Sequence, residues 1–491
     1  MRLLLVLLAA SNAFAAAPPN ILFMLSDDQA WSGLSCQMHP DMPDSKSSIV
    51  QTPNIARLAE QGMRFSAAYA PAPVCSPTRI SLQTGRNPAA LGWTKAAPAE
   101  QGHRLIEGEN RKSIRDDEVT IGQILKSAGY ATAHYGKWHL EGGGPEAHGY
   151  DESDGDTGNQ DAAPHLPPNP VDIFGMGSRA VDFMKRSQEA GKPFFIQMSY
   201  NALHYPENAT PALVENYRKL TSGRDDKEVG RAAIAEDLDR GVGELLAKLD
   251  GMGLSKNTIV IYMSDNGGSN RRTLNGGKGD VWEGGIRVPL IVRGPGIAPN
   301  SWCHQRVVGY DFFPTFCRWA GVKAALPTEL DGGDMTPLLS GGSDPVKRPR
   351  EPMVFHFPHY QGDSPHSAIL SGHMKLLHFY ETGENQLFDL KTDIGETKNL
   401  AAAKPELTAT FAKQLSDYLK EVGAEMPKPN PNYDPAREPA MKGGGKGGKG
   451  GKGGKKGDKS SAELQLAPLR HQDTPSNIRL NPHGLKPMTT L

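Results

Sequence analysis

Asn20-Ile21-Leu22-Phe23-Met24-Leu25-Ser26-Asp27-Asp28 and Ile259-Val260-Ile261-Tyr262-Met263-Ser264-Asp265-Asn266-Gly267-Gly268 decide how this chain is read. Each is a short apolar run, of the length and composition of a strand buried on both faces, that stops abruptly in acidic or amide side chains. Further runs of the same kind occupy residues 130–135, 193–200 and 288–292. Helix signals lie between them. Thr52 and Pro53 read as a cap and a first-turn proline, with Ile55, Leu58 and Ala59 on one face. Thr120 opens a second helix, with Ile121, Ile124 and Leu125 inward, that ends at Gly129. A third carries Leu238, Val242, Leu245, Leu246 and Leu249. This alternation predicts an α/β fold with a mostly parallel central sheet sandwiched by helices.

Outward from that core the character changes at both ends. Arg2, the apolar residues 3–10 and Ala13-Phe14-Ala15 read as a signal peptide over residues 1–17. Ser11 and Asn12 interrupt the run well short of the roughly 20 residues that a membrane span needs, so no stable membrane insertion is expected. Secretion or export to the periplasm is expected instead. A catalytic α/β domain then covers residues 18–342. Residues 343–426 read as a smaller α+β unit, with short strands at 353–357, 368–370, 375–379 and 386–390 and a helix over 405–422. Residues 427–491 read as a disordered Pro/Gly/Lys-rich tail, either a flexible spacer or a polycation that tethers a polyanion.

The net charge of −1 over 491 residues hides an asymmetry, because residues 442–459 hold seven Lys and one Asp. Setting those and Arg2 aside leaves 46 basic against 54 acidic residues, about −8, which argues against nucleic acid as a partner of the body. Four cysteines are too few for a disulfide scaffold. Cys303 and Cys317 are the pair that an oxidising compartment could join, which leaves Cys75 as a thiol kept for chemistry.

In an open α/β sheet, ligands bind beyond the carboxyl ends of the strands. Asp27, Asp28, Asp265 and Asn266 follow two such ends and would present three carboxylates and an amide carbonyl to one point. An all-oxygen set suits a hard divalent cation, Ca²⁺ or Mg²⁺. Other strand ends add Lys137 with His139, and His204, while a glycine-lined loop carries Lys278. Cationic donors around a metal make a site for an anionic tetrahedral group.

Cys75-Ser76-Pro77-Thr78-Arg79, followed by Ser81-Leu82-Gln83-Thr84-Gly85-Arg86, resembles the signature of the Cys-type, formylglycine-dependent sulfatases of the alkaline phosphatase superfamily. Asp27-Asp28, Gly136-Lys137-Trp138-His139, His204 with Pro206, Ser264 to Gly268 and Gly276 to Pro289 are similar to that family's other blocks, in the same order. One departure is Glu141, where the family commonly has Gly; it bears on substrate contacts more than on the chemistry. Pro77 suits the first turn of a helix, which would set Cys75 beside amide donors at a positive helix end.

The resemblance implies the remaining roles. A maturation enzyme oxidises Cys75 to formylglycine, whose hydrate attacks sulfur. Asp27, Asp28, Asp265, Asn266 and the Cys75-derived hydrate hold Ca²⁺, with Mg²⁺ the lesser choice. Arg79 fixes the hydrate's oxygens. Lys137, Lys278 and His204 bind the sulfate, either His204 or Lys278 protonates the leaving group, and His139 takes the proton that lets sulfate depart. The substrate implied is a sulfated carbohydrate outside the cell. Trp31, Trp93, Trp282, His356, His359 and His373 are conceivable sugar contacts. The rival readings are hydrolysis of phosphonate monoesters or phosphodiesters, and glycan binding without turnover if Cys75 is not matured.

Overall fold

The computed structural model describes residues 18–268 and 273–440. The expected signal peptide and the Lys-rich part of the tail lie outside them. Eight strands form the central sheet: β1 (Asn20–Ser26), β2 (Met63–Phe65), β3 (Ala131–Gly136), β4 (Glu152–Ser153), β5 (Phe194–Ser199), β6 (Thr258–Ser264), β7 (Leu290–Arg293) and β8 (Ser301–Cys303). Their spatial order is β8-β2-β7-β6-β1-β5-β3-β4. The pairs among β6, β1, β5, β3 and β4 are parallel, as is β2 with β8, whereas β7 runs antiparallel to β6 and β2.

The strand period of two, with both faces buried, explains why β1 is apolar from Ile21 to Leu25. Leu22 and Met24 pack on one face with helices α1 (Pro53–Glu60), α4 (Ile173–Glu189) and α6 (Asp226–Gly251). Ile21, Phe23 and Leu25 pack on the other with α2 (Cys75–Thr84), α3 (Ile121–Ser127) and α7 (Phe312–Trp319). Each such side chain removed from water contributes roughly 1.5–3 kcal/mol. Helix α5 (Pro211–Leu220) lies beside α6, its Tyr217 buried with the first face.

Local signals resolve unevenly. Thr120 caps α3 through a capping box with Gln123, as its sequence suggests. Thr52 does not cap α1; its hydroxyl accepts instead from the backbone N–H of Ser35, at 2.8 Å.

A second, antiparallel sheet follows in sequence order: β9 (Met353–Phe357), β10 (His366–Ser371), β11 (Met374–Phe379) and β12 (Asn385–Asp389). Helix α8 (Pro405–Glu421) covers one face of it. The other face buries Phe355, Phe357 and Leu377 against Tyr69, Val74 and Trp282 of the first region, one continuous apolar cluster. Inside the segment read as tail, Lys428–Pro429 pair antiparallel with Leu105–Ile106. All four cysteines are free thiols, and Cys303 and Cys317 are not bridged.

Candidate active site

Register builds the site. Ser26 of β1 pairs with Ser264 of β6, so the next residues of both strands emerge at one level. The N–H of Asp265 donates to the Ser26 carbonyl at 3.0 Å, and that of Lys137 to the Ser199 carbonyl at 2.8 Å, stitching four strand ends together. Helix α2 then brings its first residue, Cys75, to the same place. All ten residues of this helix are buried, as expected of a helix packed all round, and it closes at Gly85 with φ +68.

Asp27, Asp28, Cys75 and Asp265 each place a ligand atom within 4.8 Å of the others. Cys75 Sγ lies 3.3 Å from Asp27 Oδ1. Lys137 Nζ reaches Asp27 Oδ2 at 2.5 Å, and Lys278 Nζ reaches Asp28 at 2.7 Å. Asn266 Nδ2 donates to Asp28 Oδ1 at 2.8 Å, while Asn266 Oδ1 is buried without a partner. A buried carbonyl left unpaired beside three carboxylates is a donor set that fits a hard cation. Three carboxylates already face three cations, Lys137, Lys278 and Arg79, so a divalent ion turns the pocket positive and suits it to an anion.

Electrostatics points the same way. Burial, and after it the Asp27 carboxylate, pushes the Asp265 carboxyl up to about 6 in spite of Arg79. Burial works against the Asp27 carboxylate too, but Lys137, His204 and Arg79 hold it well below the usual range. Burial, then Asp265 and Asp27, drives the Cys75 thiol far upward, so the unmodified residue is a protonated thiol and a poor nucleophile.

Arg79, 2% exposed, gives Nε and Nη2 to Asp265 Oδ2 at 3.1 and 2.7 Å and Nη1 to the Lys137 carbonyl. These bonds orient the carboxylate and the end of β3. His139 has an unpartnered buried Nδ1, and burial with Lys137 and Arg79 pushes its imidazole down to about 2. His204 donates Nδ1–H to the Tyr205 carbonyl at 2.7 Å, which turns Nε2 into its acceptor when neutral. Burial lowers its pKa, and Lys278 and Lys137 add to that against the pull of Asp27 and Asp28.

Of the conceivable sugar contacts, Trp93 lines a cavity that reaches Ser76 and His139. Trp31 is core, Trp282 bonds Asp363, His356 bonds Ser367, His359 bonds Thr94 and Glu107, and His373 stands exposed 3.9 Å from Asp389. The sequence reading missed a buried ion network behind the Lys278 loop. Lys375 Nζ lies 3.0 Å from Glu283 and 2.7 Å from Glu396, and Arg287 Nε is 2.6 Å from Glu283. Glu283 and Arg287 belong to the block Gly276 to Pro289, but Lys375 and Glu396, which complete the network, lie 92 and 113 residues beyond Glu283.

That loop is the keystone of the pocket. Gly279 N–H donates to the Pro73 carbonyl just before α2, and Gly267 N–H donates to the Gly285 carbonyl. A Cβ on Gly267 would sit 1.9 Å from the Gly284 carbonyl oxygen, so only glycine fits there.

A mostly parallel sheet that gathers carboxylates, an amide and lysines at its strand ends, around a residue opening a buried helix, defines a hydrolase of anionic tetrahedral esters with alkaline phosphatase-like architecture. The Sulfatase family model matches residues 19–322, and that of N-sulphoglucosamine sulphohydrolase, C-terminal, matches residues 277–425. Arylsulfatase A of Bos taurus is 30% identical over 475 residues, covering 82% of this chain and 87% of that protein. N-acetylgalactosamine-6-sulfatase of Canis lupus familiaris is 32% identical over 388 residues, 70% of each chain. Among solved structures, Ps i-CgsB in complex with k-i-k-neocarrahexaose aligns with a TM-score of 0.68 at 26% identity, over 82% of this chain and 93% of that one. The chain belongs to the sulfatase family, an enzyme that hydrolyses sulfate esters.

Proposed function

We propose that this sulfatase removes sulfate from a sulfated carbohydrate, a polysaccharide or oligosaccharide met outside the cytoplasm. The observation that carries the chemistry is the convergence of Cys75, three carboxylates and the unpartnered Asn266 Oδ1 at paired strand ends. The carbohydrate class rests on relatives whose names specify N-acetylgalactosamine-6-sulfate and N-sulphoglucosamine, and on the oligosaccharide complex of i-CgsB. The signal-like residues 1–17 support secretion or a periplasmic location. No helix among the described residues is long and apolar enough to cross a membrane.

Sulfatases use a formylglycine and a divalent metal, and the residues present fit both. Oxidised by a maturation enzyme, residue 75 supplies a geminal diol, one hydroxyl to attack sulfur and the other to expel sulfate by elimination. Asp27, Asp28, Asp265 and Asn266 would hold Ca²⁺, which neutralises the anionic group and acidifies the attacking hydroxyl.

The chain's own side chains do the rest. Lys137, held by Asp27, and Lys278, held by Asp28, bind sulfate oxygens. His204 as an imidazolium, its Nδ1–H held by the Tyr205 carbonyl and its Nε2–H free to leave, or the Lys278 ammonium delivers a proton to the departing oxygen. His139 is neutral and available to accept the proton of the second hydroxyl, and a bound sulfate offsets the positive field that now disfavours its imidazolium.

Sulfate release from a panel of sulfated oligosaccharides, compared with turnover of phosphonate monoesters and phosphodiesters, tests the reading. Preferential sulfate release is expected. Preference for the phosphorus esters, or tight glycan binding without turnover by formylglycine-bearing protein, would replace it with one of the rival functions.

A further inference from the structure

Beside Cys75 a cleft of about 430 Å³ opens between Ser76, Trp93, His139 and Glu141, a size that accommodates one or two sugar rings. Three of the six Lys, Arg and Glu residues that line it are already ion-paired. Lys95 Nζ contacts both Glu107 oxygens at 2.8 and 2.9 Å, and Arg111 forms a forked pair with Glu118. Among the described residues, Glu109, Lys112 and Glu141 line the cleft without an ion pair, which leaves two unpaired acids against one unpaired base.

Glu141 is set in an unusual way. It has φ +52, in the left-handed region that disfavours any residue with a Cβ, and the glycines at 142, 143 and 144 follow at +73, +87 and +80. Two ring donors hold this backbone: Trp138 Nε1 to the Glu141 carbonyl and His148 Nε2 to the Gly142 carbonyl, both at 2.9 Å. Glycine would relieve the conformation at no cost to these bonds. An exposed glutamate kept on a strained backbone at the lining of this cleft, two residues from His139, points to use of the side chain.

We infer that Glu141 is a specificity residue of this sulfatase: its carboxylate accepts hydrogen bonds from hydroxyls of the sugar lying in the cleft and repels a second sulfate next to the one being cleaved. The substrate class becomes a sugar sulfated once at the reacting ring, with free hydroxyls around it. This rests on the sulfatase reading above and narrows its substrate.

The test uses full-length, formylglycine-bearing enzyme as wild type, Glu141→Gln and Glu141→Gly. Inhibition constants for a monosulfated and a disulfated disaccharide of one backbone are measured against turnover of 4-nitrophenyl sulfate, so their ratio cancels any change in basal rate. Wild type should bind the monosulfated sugar about tenfold or more tightly than the disulfated one, and both variants should bring the two within about threefold. Gln should keep affinity for the monosulfated sugar, Gly should lose part of it, and the Gly variant should melt no lower than wild type. A ratio that stays put in both variants, or a wild type that prefers the disulfated sugar, overturns the inference while leaving the sulfatase reading intact. Wild type that turns over no sulfate ester at all overturns both.

Discussion

Arg79 holds Asp265 by one oxygen alone, Nε and Nη2 both converging on Oδ2 at 3.1 and 2.7 Å, while Oδ1 accepts the backbone N–H of Asp28 at 3.2 Å. Both partners are buried, so the pair fixes the orientation of a proposed metal ligand by desolvated charge. Arg79→Ala would leave that carboxylate without its counter-charge. We expect a loss of about 3–5 kcal/mol in unfolding free energy, read by chemical denaturation, and weaker calcium binding. Arg79→Lys should recover part of the stability but not the two-pronged geometry.

The raised Asp265 carboxyl makes calcium binding proton-linked. Being an acid pushed up to about 6, it is mostly protonated at pH 5.5 and must give up that proton to a cation. Calorimetry at pH 5.5 in buffers of different ionisation enthalpy should therefore show nearly one proton released per Ca²⁺, falling toward none by pH 7.5. Affinity should rise with pH through about 6 and level off above it. Proton release that does not change over this range would contradict the assignment.

His139 and His204 are separable by leaving group. With His139→Ala, attack proceeds but elimination stalls, so a sulfated enzyme should accumulate and show as a mass adduct. With His204→Ala, losses should be far greater for sugar sulfates than for nitrophenyl sulfate, whose phenolate departs unaided. Equal losses on both substrates, with no adduct from either variant, would remove the two roles.

Behind the Lys278 loop, Lys375 is wholly buried between Glu283 and Glu396. Burial pushes the Glu396 carboxyl from an ordinary 4.5 up to about 7, against the pull of Lys375. Between those two values the folded chain holds a proton that the unfolded chain has released, so this group favours the fold less as pH rises through that window. Glu396→Gln should flatten the decline of stability from pH 4.5 to 7 relative to wild type. Lys375→Ala, which strands Glu396 and leaves Glu283 with Arg287 alone, should cost about 3–5 kcal/mol.

The central strands were legible because burial on both faces makes β1 and β6 apolar between their end residues and β5 apolar but for Gln197 and Ser199, and the ends of β1 and β6 announce themselves in Asp27-Asp28 and Asp265-Asn266. β2 and β8 carry three residues each, too few for periodicity to mark. Thr52 has the composition of a cap, but its hydroxyl is claimed by Ser35, a tertiary contact that no local pattern encodes. The same holds at the site. Cys75 and the carboxylates stand in recognisable runs, whereas the grip of Arg79 on Asp265 and the Glu283–Lys375–Glu396 network join residues up to 186 positions apart. Glu141 was visible as a departure from the family pattern, and its left-handed backbone and place on the cleft wall came only with the structure.

The identity of residue 75 in active protein tests the account most directly. Burial, then Asp265 and Asp27, keeps its thiol protonated, and the proposed mechanism turns over through the aldehyde instead. Peptide mass spectrometry on material of known specific activity should find formylglycine at residue 75 in proportion to activity, and Cys75→Ser should be nearly inactive unless the host's maturation enzyme also accepts serine. Fully active enzyme that carries an unmodified Cys75 thiol would contradict the mechanism.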